Sequence, residues 1–203
     1  MDRVILPDKL QQLLPPELHD ACVGNHYPKG NCLFRVGHTP HHMFYVVSGE
    51  VTLERVGLHG DIVVLQRTRG GFVSEASLNV SSYHCDAMVT SATVALSIPI
   101  IEMQKTLARD NNFASRWITM INDEVRRLRT QCERLRIKSV KDRLLHLILT
   151  EGIDGQYSVP SGLKTLAGDL GVSHEALYRT IADLQQKNQL LKVQDKLIIP
   201  KSP

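Results

Sequence analysis

Cysteine is scarce: Cys22, Cys32, Cys85 and Cys132 are the only four in 203 residues, and none is paired as C-x-x-C. The chain therefore reads as a protein of a reduced, cytoplasmic setting rather than as a disulfide framework. Long hydrophobic runs are lacking too, and nothing approaches the roughly 20 apolar residues of a membrane span. The opening stretch MDRVILPDKLQQLL has acidic residues and no apolar h-region, so no secretory signal is expected. Ser-His-Asp, Walker and Rossmann signatures are missing, which speaks against an enzyme of those classes. What remains is one large or two small domains, with 42% apolar residues, enough for real cores.

Charge is unevenly spread. Residues 1–108 carry 8 Lys and Arg against 10 Asp and Glu, whereas residues 109–203 carry 16 against 11. A basic C-terminal half suits contact with DNA phosphates, although many solvated helices are equally rich in arginine.

Within that half, Leu163 to Leu184 reads LKTLAGDLGVSHEALYRTIADL. Leu163, Leu166, Ala167 and Leu170 fall on one helical face. Gly171 can adopt the positive φ of a sharp helix exit, and Ser173 is a good N-cap for a second helix. Leu177, Ile181 and Leu184 form that helix's buried stripe. Glu175, Tyr178, Arg179 and Ala182 point away from it, with His174 at the edge. Two such helices around a short turn are the helix-turn-helix, whose second helix reads DNA. The competing reading is an ordinary packed helical hairpin. Downstream, LLKVQDKLIIP (190–200) predicts two short strands around a turn at Asp195 and Lys196, which would form a wing. Upstream, SVKDRLLHLILT (139–150) predicts an amphipathic helix opened by Ser139 and Asp142.

A long helical pattern runs from about Ile100 to Arg136. Phe113, Trp117, Met120, Ile121, Val125, Leu128, Cys132 and Leu135 recur every three or four residues between charged ones. This predicts a coiled-coil-like seam, hence a homodimer matching a palindromic operator. The alternative is an amphipathic helix lying on its own domain. The N-terminal part is predicted to be β-rich: CLFRV, MFYVV, VTLERV, DIVVLQ and AMVTSATVALSI are separated by turn residues, including Gly30, Gly37, Gly49, Gly57, Gly60 and Gly70–Gly71. Short strands so punctuated predict a small barrel or jelly roll.

The segment Pro28 to Arg55, with its glycines and the run before Ser48-Gly49, resembles the opening of a cyclic-nucleotide-binding β-roll. Followed by a long helix and a winged helix, it resembles the cAMP receptor protein and fumarate–nitrate reduction regulator (Crp/Fnr) family over nearly the whole chain. The resemblance implies an α+β fold with a β-roll sensor (1–108), a dimerisation helix and hinge (109–138) and a winged helix-turn-helix (139–203). It implies a cytoplasmic transcription regulator binding double-stranded DNA as a homodimer, with RNA polymerase as a further partner if it activates, and no membrane. The family's recognition helix reads S-R-E-x-x-x-R; this chain keeps Ser173, Glu175 and Arg179 and has His174 for the first Arg. By resemblance, Arg179 donates to guanine O6 and N7 and Glu175 accepts from cytosine N4. Tyr178 completes the expected DNA-facing set.

The sensor departs from the cAMP-binding pattern. In Gly70 to Val89, Glu75 falls on the ribose-binding Glu and Ala87 on the family's Ala, but the phosphate-binding Arg and Ser fall on Cys85 and Asp86. A carboxylate there repels an anion, so cAMP is not the expected effector. Glu75, Ser77, Cys85, Asp86 and Leu128 are the candidate effector-pocket residues, with the cofactor left open. Cys22 and Cys32 are too few and too far apart for an iron–sulfur cluster. His84-Cys85 invites haem or metal, but adjacent strand residues face opposite ways, which favours a buried Cys beside a surface His. A thiol-reactive sensor at Cys85 or Cys32 is another alternative. A cupin-type metal enzyme is the rival class: His38 and His42 fall on two of its ligand positions, with His41 between, but Val36 occupies the third.

Overall fold

The computed structural model describes residues 5–200; the first four residues of the stretch read for a secretory signal, and the last three of the chain, lie outside the described residues. In chain order the elements are helices α1 (Asp8–Leu13) and α2 (Pro16–Ala21), and strands β1 (Val23–Tyr27), β2 (Cys32–Phe34), β3 (His42–Ser48), β4 (Val51–Val56), β5 (Ile62–Thr68) and β6 (Gly71–Phe72). A short 3-10 turn (Glu75–Ser77) precedes strands β7 (Asp86–Val89) and β8 (Thr93–Pro99) and helices α3 (Ile100–Arg109), α4 (Asn111–Arg136) and α5 (Val140–Glu151). Strand β9 (Gln156–Ser158), helices α6 (Gly162–Asp169) and α7 (His174–Gln186), and strands β10 (Leu191–Val193) and β11 (Lys196–Ile198) complete the order. The chain divides into two compact units, Met1–Thr119 and Met120–Pro203.

Two antiparallel sheets build the first unit, in the orders β1-β8-β3-β6 and β2-β7-β4-β5. Alternation places Phe34, Phe44, Val46, Val51, Leu53, Tyr83, Cys85, Ala87 and Val89 in one apolar interior. Phe34 stacks on Tyr83 with centroids 4.0 Å apart. Gly49 closes the β3–β4 turn at φ +89°, where a Cβ would meet the Ala92 carbonyl oxygen at 2.3 Å, so only glycine fits. The β-roll expected from the sequence is therefore present. Strands β1 and β6 have no counterpart among the apolar runs of the sequence. The run DIVVLQ forms β5 as expected, but Ile62, Val63, Val64 and Leu65 lie exposed on it at the sheet edge.

The long helical pattern is not one helix. It breaks at Asp110, whose extended backbone ends α3 and whose carboxylate accepts from the Phe113 N–H at 3.0 Å, starting α4. Phe113 and Trp117 then serve the first unit's own packing. Phe113 is fully buried, and Trp117 meets Phe72 edge-on with centroids 5.2 Å apart. That corrects their assignment to the dimer seam, because side chains already buried within one chain cannot also line an open seam.

In the second unit, Leu144, Leu147, Ile148, Leu163, Leu166, Ala167, Leu170, Leu177, Ile181, Leu184, Leu190 and Leu197 share one core. Ser139 caps α5 by accepting from the Asp142 N–H at 3.3 Å, as its spacing predicts. The wing is a hairpin closed by the Val193 and Lys196 pair, so its turn is Gln194–Asp195, one residue earlier than the sequence suggested, with Gln194 in the left-handed region. A third strand, β9, pairs with β11 and was not foreseen.

Candidate nucleic-acid interface

Helix α7 owes its place to its two faces. Leu177, Ile181 and Leu184 are buried, while Glu175, Tyr178, Arg179 and Ala182 are exposed and His174 is half-buried. Ser173 starts the helix by accepting from the Ala176 N–H at 3.2 Å. Gly171 turns the chain at φ +64° between α6 and α7. The DNA-facing side chains expected from sequence thus lie together on one exposed helical surface. Hydrogen bonding at its own backbone N–H and from Ser173 holds the Glu175 carboxyl below the usual carboxylate range, so it remains a hydrogen-bond acceptor at neutral pH. His174 and Tyr178, one turn apart, meet edge-to-face with ring centroids 4.3 Å apart.

Lys192 and Lys196 on the wing were not singled out in the sequence. They line a groove of about 300 Å³ together with Tyr178, Pro160, Gly162 and Asp195. Two exposed lysines beside a reading face can neutralise phosphates flanking the bases that α7 would read. Their signal in the sequence is faint, since single lysines on short exposed strands are common on any solvated surface.

Residues 25–110 match the cyclic nucleotide-binding domain family. FixK2 from Bradyrhizobium japonicum superposes with a TM-score of 0.72 at 16% identity, covering 89% of this chain and 93% of that one. The regulator CLP of Xanthomonas campestris, described as responsive to c-di-GMP, gives 0.64 at 20% identity over 90% and 96%. A Thermus thermophilus protein described as a transcriptional regulator of the CRP family gives 0.61 at 14% over 87% and 92%. The chain has the Crp/Fnr fold. No curated protein matches its sequence.

In this Crp/Fnr fold the candidate effector residues do not all face one space. Cys85 and Ala87 point into the roll, and Ser77 is buried. Asp86 points the other way: it accepts from the Val36 N–H at 2.7 Å and pairs with Arg35 at 3.4 Å, so it holds the segment after β2 to β7. Asp86 is therefore withdrawn from the pocket set, because β-strand alternation sends it to the outer face. Glu75 is half-buried, and its charge reaches the Cys85 thiol. Burial, ahead of the partly offsetting Arg55, raises the Cys85 pKa, and burial likewise raises that of Cys32. Leu128 lies on the second unit's stretch of α4 and is exposed.

His84 is exposed beside buried Cys85, in the bend that leads into β7. His38 and His41, on the turn leading into β3, and His42, its first residue, are also exposed. Among the described residues no group of three or more His, Cys, Asp and Glu side chains converges on a metal site. The described residues therefore do not assemble the cupin triad.

Beyond Trp117, α4 changes character. Ile118, Val125, Leu128, Cys132 and Leu135 are exposed, and Met120 and Ile121 are half-buried. Ile118, Ile121, Val125, Leu128, Cys132 and Leu135 alternate steps of three and four, which is heptad spacing. Ile118 was missed because the buried Phe113 and Trp117 had set the register of the reading.

Proposed function

We propose that this chain is a sequence-specific, DNA-binding transcription regulator that acts as a homodimer on a palindromic operator, and not an enzyme. The observation that carries the proposal is the exposed face of α7, where Glu175, Tyr178 and Arg179 stand clear of a core formed by Leu177, Ile181 and Leu184. Arg179 reads guanine through its two-pronged fork and Glu175 reads cytosine. His174 lacks that fork, so the half-site differs at one base pair from that of S-R-E-type relatives. Dimerisation uses the heptad stripe from Ile118 to Leu135, with Arg126 and Asp123, and Arg127 and Glu124, paired alongside it. The cytoplasm is its setting, and RNA polymerase is a partner if it activates.

Residues 1–108 sense, 109–138 dimerise and transmit, and 139–203 bind DNA. The effector acts in or on the roll by favouring one packing of the paired helices, a population shift. Cyclic AMP is disfavoured: by resemblance Cys85 stands where the family places its phosphate-binding Arg, so that cation is missing, and the roll interior is filled by Phe34, Phe44 and Tyr83. The test is selection of duplexes by the full chain from a randomised library, followed by gel shift. Arg179→Ala is expected to cost about 1–3 kcal/mol and to relax preference at one position of each half-site. Unchanged affinity and preference would overturn the assignment.

A further inference from the structure

Helix ends leave carbonyls without intrahelical partners, and cations satisfy them well. Arg143, on the first turn of α5, does this for two helix ends at once. Its Nε donates to the Ile137 carbonyl, just past the end of α4, at 2.5 Å. Its Nη1 donates to the Leu170 carbonyl at 2.9 Å and reaches the Gly171 carbonyl at 3.3 Å, both in the turn that launches α7. A second contact runs parallel to the first. Leu135 on α4 sits so close to Gly171 that a Cβ there would lie 3.2 Å from its Cδ2, and 3.5 Å from Arg143 Nη1. On the other side of the same helix end, the buried Arg134 donates to Thr150 at 3.2 Å and pairs with Glu151 on α5. The last turn of α4, the start of α5 and the helix-turn-helix turn are thus joined through one guanidinium and one leucine.

We infer that Arg143, backed by Leu135, is the positioning residue that passes the setting of α4 to the recognition helix, and so fixes the spacing at which two half-sites are read. The inference rests on the DNA-reading function proposed above. Rotating or sliding α4 moves the Ile137 carbonyl and Leu135. Both are tied to the Leu170–Gly171 turn, and that turn sets where Ser173 starts α7. The geometry needs a planar fork with donors on different nitrogens. A lysine ammonium keeps the charge but is a compact point charge, unable to bridge the two carbonyl groups in this way. Arg143 faces no base-reading residue, so its removal leaves the reading face itself intact.

The experiment uses the full chain and duplexes that the wild type selects from a randomised library. Each protein is measured on the selected palindrome, on the palindrome with one base pair added to its spacer, and on a duplex carrying a single half-site. For Arg143→Lys, palindrome affinity is expected to fall about tenfold and the penalty for the longer spacer to shrink by a similar factor. Half-site affinity and base preference are expected to stay within about twofold. Arg143→Met, which keeps the apolar stem, is expected to behave alike; circular dichroism of both variants confirms folding. A merely structural arginine would lower palindrome and half-site affinity together and leave the spacer penalty unchanged, and that result overturns the inference alone. A wild-type chain that selects no sequence overturns the proposed function and this inference with it.

Discussion

The two units keep their distinctive side chains in opposite places. In the second, an apolar core of leucines and isoleucines supports a polar helical face that is wholly on the outside, at Glu175, Tyr178 and Arg179. In the first, the distinctive side chains Phe34, Tyr83 and Cys85 are inside the roll, and what lies outside is a histidine-bearing turn and an apolar edge strand. A surface reader can be recognised from which residues face away from a helical stripe. A sensor that works from its interior depends on which side chains fill the space, and that is decided by packing across two sheets. That contrast is why the proposed DNA reading can be assigned to residue types while the effector cannot.

Charged groups separate buried from exposed roles most strongly. Arg134 is 4% exposed and ties α4 to α5 through Glu151 and Thr150, with its Nε directed at His146 Nδ1. Arg134→Ala is expected to destabilise the second unit by about 3–5 kcal/mol, since it strands the polar groups that packed on it. Arg126→Ala, which breaks an exposed pair with Asp123, should cost about 0.5 kcal/mol. Urea unfolding followed by circular dichroism measures both. Equal losses would mean that the α4–α5 clamp is no more than a surface contact.

Two glycines give a smaller and graded contrast. Gly49→Ala places a Cβ 2.3 Å from a backbone oxygen at φ +89°, and neither atom can yield without moving a strand. About 2–4 kcal/mol is expected, combining overpacking with left-handed strain. At Gly171 the obstacle is the far end of Leu135 at 3.2 Å, which can swing away, so Gly171→Ala should cost about 1–2 kcal/mol, mostly strain. Thermal unfolding of the two variants checks the order, and a reversed order would mean that the α6–α7 turn is the more rigid of the two.

Much of this organisation is legible in the sequence, unevenly. Every residue assigned to the buried and exposed faces of α6 and α7 falls where a helical period puts it, because one amphipathic element carries its own register. Strands β3, β4 and β8 were equally plain from their apolar runs. The break at Asp110 was not, since an Asp N-cap inside a continuous three-and-four pattern looks like one more polar residue on a long helix. Phe113 and Trp117 were assigned to the wrong partner for the same reason: periodicity tells which face is apolar, not what covers it. Asp86 was placed in the pocket by resemblance, and its strand parity puts it outside. Lys192 and Lys196 gained meaning only when the hairpin placed them beside Tyr178.

Acid should separate the units further. Burial pushes the Glu50 carboxyl up, but the Thr90 hydroxyl, Arg69 and Arg67 together outweigh it and hold its pKa below the ordinary carboxylate value. A carboxyl depressed in the folded state contributes stability that is present above its unfolded pKa, near 4.3, and is lost as pH falls through the lower folded value. The first unit is therefore expected to lose thermal stability below about pH 4.5. Trp117, the chain's single tryptophan, packs within that unit and reports it by fluorescence. Glu50→Gln should flatten that acid slope; an unchanged slope would place the acid-labile group elsewhere.

The finest test concerns the thiols, where the inside-outside contrast predicts an order of reaction. Thiolate is the reactive form, so a buried thiol that also donates a hydrogen bond is doubly protected. Cys22 donates to the Leu18 carbonyl at 3.0 Å, and burial lifts its pKa from 9.0 to about 11, lowering its thiolate fraction about a hundredfold. Cys32 donates to the Phe34 carbonyl at 2.9 Å, and Cys85 is 1% exposed in the roll. Cys132 stands exposed on the second unit's stretch of α4. Iodoacetamide at about pH 7.5, with labelling read by mass spectrometry of peptides, should modify Cys132 first, Cys32 next, and Cys22 and Cys85 only on unfolding. Pairing of α4 with a second copy should slow Cys132 as protein concentration rises. If Cys85 instead reacts as quickly as Cys132 in the folded chain, the roll interior opens to solvent, and the first unit regains a thiol-based sensor as its working element.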